Sequence, residues 1–252
     1  MVDKNSKPLV SIITVVFNGR EFIEDAIRCV LSQTYHNIEY IVIDGASVDG
    51  TKEIIKKYEN QISHFISESD HGIYDAMNKG IEKASGEIIG ILNSDDIYES
   101  KNSIKNIVEE FRSGESCLYA DLVYVKKNNL SSPIRKFDSS KFSIDMFGYG
   151  LMPAHPTFFV KRDIYERYGN FRTDLKIAAD FDLMVRFLYE HKITHKYINQ
   201  VIVKMRLGGI STSYKSLWIN NFEILKVCRD HGIETNIFKI MSRYFKKILE
   251  LF

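Results

Sequence analysis

The strongest constraint on this chain is an alternation. Short runs dominated by isoleucine and valine are "LVSIITVVF" at 9–17, "IEYIVID" at 38–44, "ISHFIS" at 62–67 and "GEIIGIL" at 86–92. Segments whose apolar residues recur at helical spacing separate them. Residues branched at Cβ are stiff at χ1 and fit a pleated surface, so the runs are predicted strands. Continuous apolar runs, unlike alternating ones, mean strands buried on both faces. Between them, "REFIEDAIRCVLSQ" places Phe22, Ala26, Ile27, Val30 and Leu31 at helical spacing, and "DGTKEIIKKYEN" offers Asp49 or Thr51 as a cap. "IYDAMNKGIEKA" and "KNSIKNIVEEFRS" are further helices, and "CLYADLVYV" is a fifth strand. The alternation predicts an α/β chain with three layers, a mostly parallel sheet between helices. At 252 residues and 44% hydrophobic, the chain has the apolar material such a sheet needs.

Beyond Asn128 the rhythm loosens. "SSPIRKFDSSKFS" is polar, "GYGLMPAHPTFF" is punctuated by Gly and Pro, and a helix from Asp180 to His191 precedes a strand "KYINQVIVKM". No linker, repeat or low-complexity segment divides the chain. One domain over 1–252 is expected, with halves at 8–127 and 128–212 and a helical tail at 213–252. In that tail Ile237, Ile240, Met241, Tyr244, Ile248 and Leu251 are apolar, while Lys239, Arg243, Lys246 and Lys247 share another side. Such a helix lies on an anionic membrane or packs on its own domain with a solvated basic face, and the sequence leaves both open. Lys+Arg 34 against Asp+Glu 33 argues against a general polyanion binder, so no nucleic-acid partner is expected. Cys29, Cys117 and Cys228 are scattered, without metal-ligand spacing or a disulfide framework. "MVDKNSKPLV" lacks the apolar core of a signal peptide, and no early apolar run approaches the ~20 residues that span a bilayer. A reducing cytoplasm is the expected location, with peripheral contact at the inner membrane face still open.

Polar residues close each early strand: Asn18 the first, Asp44 the second, Glu68 and Asp70 the third, and Asn93-Ser94-Asp95-Asp96 the fourth. In open α/β sheets ligands bind outside the carboxyl ends of the strands, so these residues form an acidic rim where a ligand is expected. Adjacent carboxylates disfavour each other's ionisation, and a cation removes that penalty. Taken alone, Asp95-Asp96 is better read as a solvated turn opening the next helix. There is neither G-x-G-x-x-G nor a Walker lysine, so an acidic rim that took a phosphorylated ligand would need a divalent cation between the two. Oxygen ligands favour Mg²⁺ or Mn²⁺ over zinc.

"VSIITVVFNG", "IEYIVIDGASVDGT" and "DHGIYDAMNKGIEKASGEIIGILNSDD", in that order, resemble the nucleotide-sugar-binding half of family 2 glycosyltransferases, with similarity over roughly residues 8–210. The resemblance implies a GT-A fold, with an irregular acceptor-side half and C-terminal helices. It also implies transfer of a sugar, with inversion, from a nucleotide diphosphate, UDP in the first place, to an acceptor hydroxyl. It makes Asp96 the metal ligand and sets Asp95 toward the metal or ribose, with Mn²⁺ or Mg²⁺ as cofactor. Val15, Phe17 and Asn18 would line the base, Asp44 would lie near base or ribose, and Asp70, Asn78 and Lys79 would lie beside the diphosphate. Asp75, Ala76 and Met77 are helix-building residues. One departure stands out. Many members have two acids in a row after the second strand, the second reading uracil; this chain has Asp44-Gly45.

The resemblance also implies a general base before a helix in the second half, often in Glu-Asp. In "KIAADFDLMVRF" Asp180 fits the aspartate, Ala179 replaces the glutamate, and Asp182 is a rival. Without the resemblance Asp180 is simply a helix cap. His155 of "PAHPTFF" matches a position near the diphosphate or acceptor, and Arg206 of "RLGGIS" lies in a loop resembling one that closes over the donor. The implied partners are a nucleotide-sugar and a glycan or lipid-linked acceptor in cell-surface polysaccharide or glycolipid assembly. Two other readings are an inactive sugar-nucleotide-binding scaffold, allowed by Ala179 and Gly45, and a nucleotidyltransferase, disfavoured by the lack of a Gly-rich triphosphate loop.

Overall fold

The computed structural model describes residues 7–111, 114–208 and 214–249. The first four strands run as expected: β1 (Val10–Val16), β2 (Ile38–Asp44), β3 (His64–Ser67) and β4 (Ile88–Ile91). Helices α1 (Ile23–Leu31), α2 (Thr51–Lys56) and α3 (Ile73–Lys83) connect them. After them come β5 (Ile97–Tyr98), α4 (Ser103–Glu110), the hairpin β6 (Cys117–Lys126) and β7 (Asn129–Phe137), β8 (Phe159–Lys161) and α5 (Arg162–Tyr168). The chain continues with α6 (Ala179–Met184), a π-helical segment at Val185–Glu190, β9 (His195–Arg206), α7 (Tyr214–Asp230) and α8 (Ile237–Leu249).

Among the described residues the strands form one sheet in the order β3-β2-β1-β4-β8-β6-β9-β5, with β7 beside β6. β1 pairs in parallel with β2 and β4, and β2 with β3. β8 is antiparallel to both β4 and β6, which returns the sheet to the parallel pair β6 and β9. Pleating sends alternate residues of β1 to opposite faces. Ile13 and Val15 join a core beneath α3, α6, α7 and α8, while Val10, Ile12 and Val16 join a core beneath α1, α2 and α4. Gly80 lets α3 approach β1 closely, because a Cβ there would lie 2.4 Å from Ile13 Cγ2.

Register decides what meets at the sheet edge. Val16 pairs with Asp44, and the Gly45 N–H donates to the Val16 carbonyl at 2.8 Å. Phe17-Asn18 therefore lies beside Gly45-Ala46. On the α7–α8 side the tail packs on its own domain. Ile240 is fully buried, Arg243 is 5% exposed and donates to the Gly150 carbonyl and Asn221 Oδ1, and Lys239 lies over the Tyr149 ring. Two of the four cations of the expected basic face are thus used inside the domain; the side chains of Lys246 and Lys247 lie outside the described residues. Among the described residues no helix is long and apolar enough to cross a membrane.

Candidate active site

The ends of β1 and β2 form the first part of the site. Phe17 is 66% exposed, whereas Val15, two residues earlier, is 5% exposed and packed in the core. Val15 therefore does not line a pocket: the strand is buried up to Val16, and only Phe17 and Asn18 emerge. Asn18 has φ 50° and Ala46 has φ 61°, both left-handed. Asparagine tolerates that region, alanine less so, and such strain concentrates at functional loops. The turn is locked by the Asn18 N–H donating to Ser47 Oγ at 2.7 Å and the Val48 N–H donating to Asn18 Oδ1 at 3.0 Å. Asp44 is fully buried, its Oδ2 accepting the Ser67 hydroxyl at 2.6 Å and the Ser47 N–H at 3.1 Å. Its carboxylate is engaged by the turn, at the strand end where a base or ribose is expected.

The Asn93–Asp96 turn forms the second part. Asp96 is fully buried and receives only long hydrogen bonds, 3.3 Å from Asn93 Nδ2 and 3.3 Å from the Arg206 N–H. Burial, then the charge of Asp95, pushes its carboxyl well above the usual range. The Asn93 Oδ1 is buried with no partner. Two carboxylates and an orphaned amide oxygen are a hard-oxygen donor set that suits Mg²⁺ or Mn²⁺. Among the described residues no cluster of three or more acidic, His or Cys side chains encloses an ion.

Arg206, expected in a loop that closes over the donor, is packed inside the protein. It is 3% exposed, and its guanidinium donates to the Asp95 carbonyl at 2.7 Å, to Asp25 Oδ2 at 2.5 Å and to the Lys127 carbonyl at 3.2 Å, while stacking on Phe22. It braces the acidic turn from behind, and its near-complete burial leaves almost no surface toward a diphosphate. Asn78 is likewise occupied, its amide pairing twice with the backbone of Phe171 at 2.9 Å. Lys79 reaches Glu68 at 2.8 Å and the Ser69 carbonyl at 3.0 Å, beside the loop that carries Asp70.

The third part is the first turn of α6, which carries Asp180, with the loop before it. Asp180 is partly buried, and burial raises its pKa while the neighbouring His155 pulls the other way. Burial lowers the pKa of His155, and Asp180 opposes that shift, so each group lies in the other's field. His155 packs edge-on against Phe171, and Phe171 stacks on Tyr74. The Tyr74 hydroxyl donates to the Ile177 carbonyl and lies 3.5 Å from Asp180 Oδ1. From α7, Glu223 accepts the backbone N–H groups of Lys176, Ile177 and Ala178 at 2.8, 2.9 and 3.0 Å. Asn78, Tyr74 and Glu223 thus hold the loop at three places. Tyr74 and Glu223 had no signal in the sequence, since nothing in their spacing marks a long-range partner. The rival Asp182 is fully buried among Arg172, Arg186 and His231 at 3.2, 3.3 and 3.3 Å, which removes it from contention as a base.

With Phe17 exposed after β1, the Asp95–Asp96 turn after β4 and Asp180 beside Tyr74 and His155, comparison with known proteins becomes decisive. Residues 11–169 match the family described as Glycosyl transferase family 2. The chain belongs to glycosyltransferase family 2. A putative teichuronic acid biosynthesis glycosyltransferase of Bacillus subtilis is 35% identical over 136 residues, 53% of this chain and 53% of that protein. The fold is that of Staphylococcus aureus TarS in complex with UDP-GlcNAc, with a TM-score of 0.70 over 94% of this chain and 72% of that chain at 17% identity. A Pyrobaculum calidifontis mannosyltransferase in complex with GDP-Man and Mn²⁺ superposes with a TM-score of 0.66 over 89% of this chain and 66% of that chain at 19% identity. The α/β architecture is thus the GT-A fold expected from the sequence.

Proposed function

We propose that this chain transfers a glycosyl group, with inversion, from a uridine diphosphate sugar to an acceptor hydroxyl, with Asp180 as general base. The observation that carries this reading is Asp180, a carboxylate with a raised pKa in the first turn of α6, directly after a loop held at three places. Asp180 takes the proton as the acceptor oxygen bonds to the anomeric carbon. The bond from that carbon to the diphosphate breaks, and its electron pair leaves with the nucleotide. Burial raises the Asp180 pKa, and a carboxylate of raised pKa is a stronger proton acceptor than an ordinary one. Asp96, Asp95 and the orphaned Asn93 Oδ1 are the groups that would hold a Mg²⁺ or Mn²⁺ ion. When bound, that ion offsets the charge of the departing diphosphate. The donor complexes of the two structural neighbours support a nucleotide-sugar donor, and the Bacillus relative's name supports an acceptor in cell-surface polysaccharide assembly.

The test is calorimetric binding of UDP and GDP, with and without Mn²⁺, to the wild type and to Asp96→Ala. Metal-dependent binding of UDP, abolished by the substitution, is expected. Equal binding with and without metal, or in both proteins, would remove the cation from the reading.

A further inference from the structure

At the end of β2 the chain has no side chain at position 45, and an acid from another loop fills the space. A Cβ built on Gly45 would lie 2.4 Å from Asp70 Oδ2 and 3.4 Å from the Phe17 ring. Asp70 comes from the segment after β3, where its Oδ1 accepts the Gly72 N–H at 2.9 Å. Among the described residues no hydrogen bond or ion pair engages Oδ2; Lys79, on the neighbouring helix, feels the charge of Asp70 but is bonded to Glu68 and the Ser69 carbonyl. An unpaired carboxylate oxygen and a 66% exposed aromatic ring therefore border the same vacant position.

Charge decides which part of a donor belongs here. A bare carboxylate repels a diphosphate unless a cation stands between them. The candidate cation ligands follow β4, and β1 lies between β4 and β2. Two inter-strand spacings, about 10 Å, separate the two places. The diphosphate belongs at the β4 end, so Asp70 faces the uncharged end of the ligand, a flat base with ring N–H donors. Asp44, the other acid at this edge, is closed off by Ser47 and Ser67.

Given the nucleotide-sugar reading above, on which this rests, we infer that Asp70 determines base specificity. Phe17 carries the face of the base and Asp70 Oδ2 accepts its ring N–H. With Oδ1 engaged by Gly72, one oxygen is on offer. That suits uracil or thymine, with one ring N–H between two carbonyls, over guanine, whose adjacent N–H donors match both oxygens of a carboxylate.

Calorimetry in Mn²⁺ with UDP, N3-methyl-UDP and GDP tests this on the wild type, Asp70→Ala, Gly45→Asp and the double variant. Wild type should prefer UDP to N3-methyl-UDP by roughly 10–100-fold, the loss of one charge-assisted hydrogen bond. Asp70→Ala should lose that preference with N3-methyl-UDP affinity unchanged. Gly45→Asp alone should bind UDP poorly, because its side chain meets Asp70, and adding Asp70→Ala should restore the preference. UDP binding unchanged in Asp70→Ala, equal weakening of UDP and N3-methyl-UDP, or a wild type that prefers GDP would each overturn the assignment while leaving the donor reading intact. A wild type that binds no nucleoside diphosphate would instead overturn the donor reading itself.

Discussion

At the residue scale, function rests on where a few carboxylates end up, since much of the acidic rim is spent inside the protein. Asp44 and Asp182 are fully buried and satisfied by protein donors, whereas Asp180 and Asp96 are raised in pKa by burial that protein donors do not offset. A raised pKa keeps Asp180 protonated to higher pH than an ordinary aspartate, so the acid limb of kcat/KM should lie above pH 3.8. Asp180→Asn removes the proton acceptor without changing its volume. Turnover should fall by roughly 10²–10⁴-fold, the usual worth of a positioned base, and UDP binding should stay within a factor of about two. Initial rates against pH, with calorimetry of the same protein, measure both. Near-normal turnover, or parallel loss of UDP affinity, would remove Asp180 from the chemistry.

At the element scale, the acceptor-side loop is set by helices distant in sequence. Glu223 of α7 gathers three successive N–H groups just before Asp180, and Asn78 and Tyr74 of α3 hold Phe171 and Ile177. Glu223→Gln replaces one acceptor oxygen with a donor and leaves an amide facing another amide, a cost of about 1–3 kcal/mol. Because the donor groups sit on other loops, kcat should drop roughly tenfold while UDP affinity holds. Equal changes in both would mean the α7 contact supports the whole sheet edge. This also shows how far the sequence could be followed. Strands β1 to β4 and helices α1 to α4 were legible because isoleucine-valine runs and helical spacing are local signals. β7 was not: it is a mostly exposed edge strand carrying Ser131, Ser132 and Pro133, and Pro is tolerated only where no ladder hydrogen bond is needed. β8 is three residues long, too short for any period. The acidic turn was legible as a motif. The partners that occupy Asn78 and Arg206 were not, because residue type does not reveal which groups tertiary packing will supply.

At the scale of the whole molecule, one ion-pair network joins α6 to the C-terminal region. Asp182 of α6 meets Arg172 and Arg186, and His231, just past α7, bridges Asp182 at 3.3 Å and Glu190 at 2.7 Å. Burial pushes Asp182 upward, but the His231 hydrogen bond, Arg186 and Arg172 outweigh it and leave its pKa lowered. Its contribution to stability is present above the unfolded value near pH 3.9 and is lost as pH falls through the lower folded pKa. The Asp182 hydrogen bond raises the pKa of His231 although burial pulls it down, and Glu190 adds to the rise. That contribution is fully present below the unfolded value near pH 6.5 and is lost as pH climbs through the higher folded pKa. The two together define a window of greatest stability between about pH 4 and 6.5. Thermal melts of the wild type should therefore show Tm falling as pH rises past that window. His231→Phe should melt lower inside the window, where the charged imidazole matters most, and converge toward the wild type at higher pH. Melting curves for both proteins from pH 5 to 9 measure the difference; a gap constant across that range would mean His231 acts by packing alone. The bridge holds α6 to the end of α7, the helix whose Glu223 fixes the Asp180 loop. Loss of activity on alkaline incubation should therefore precede global unfolding, with the loop loosening before the donor-side strands separate.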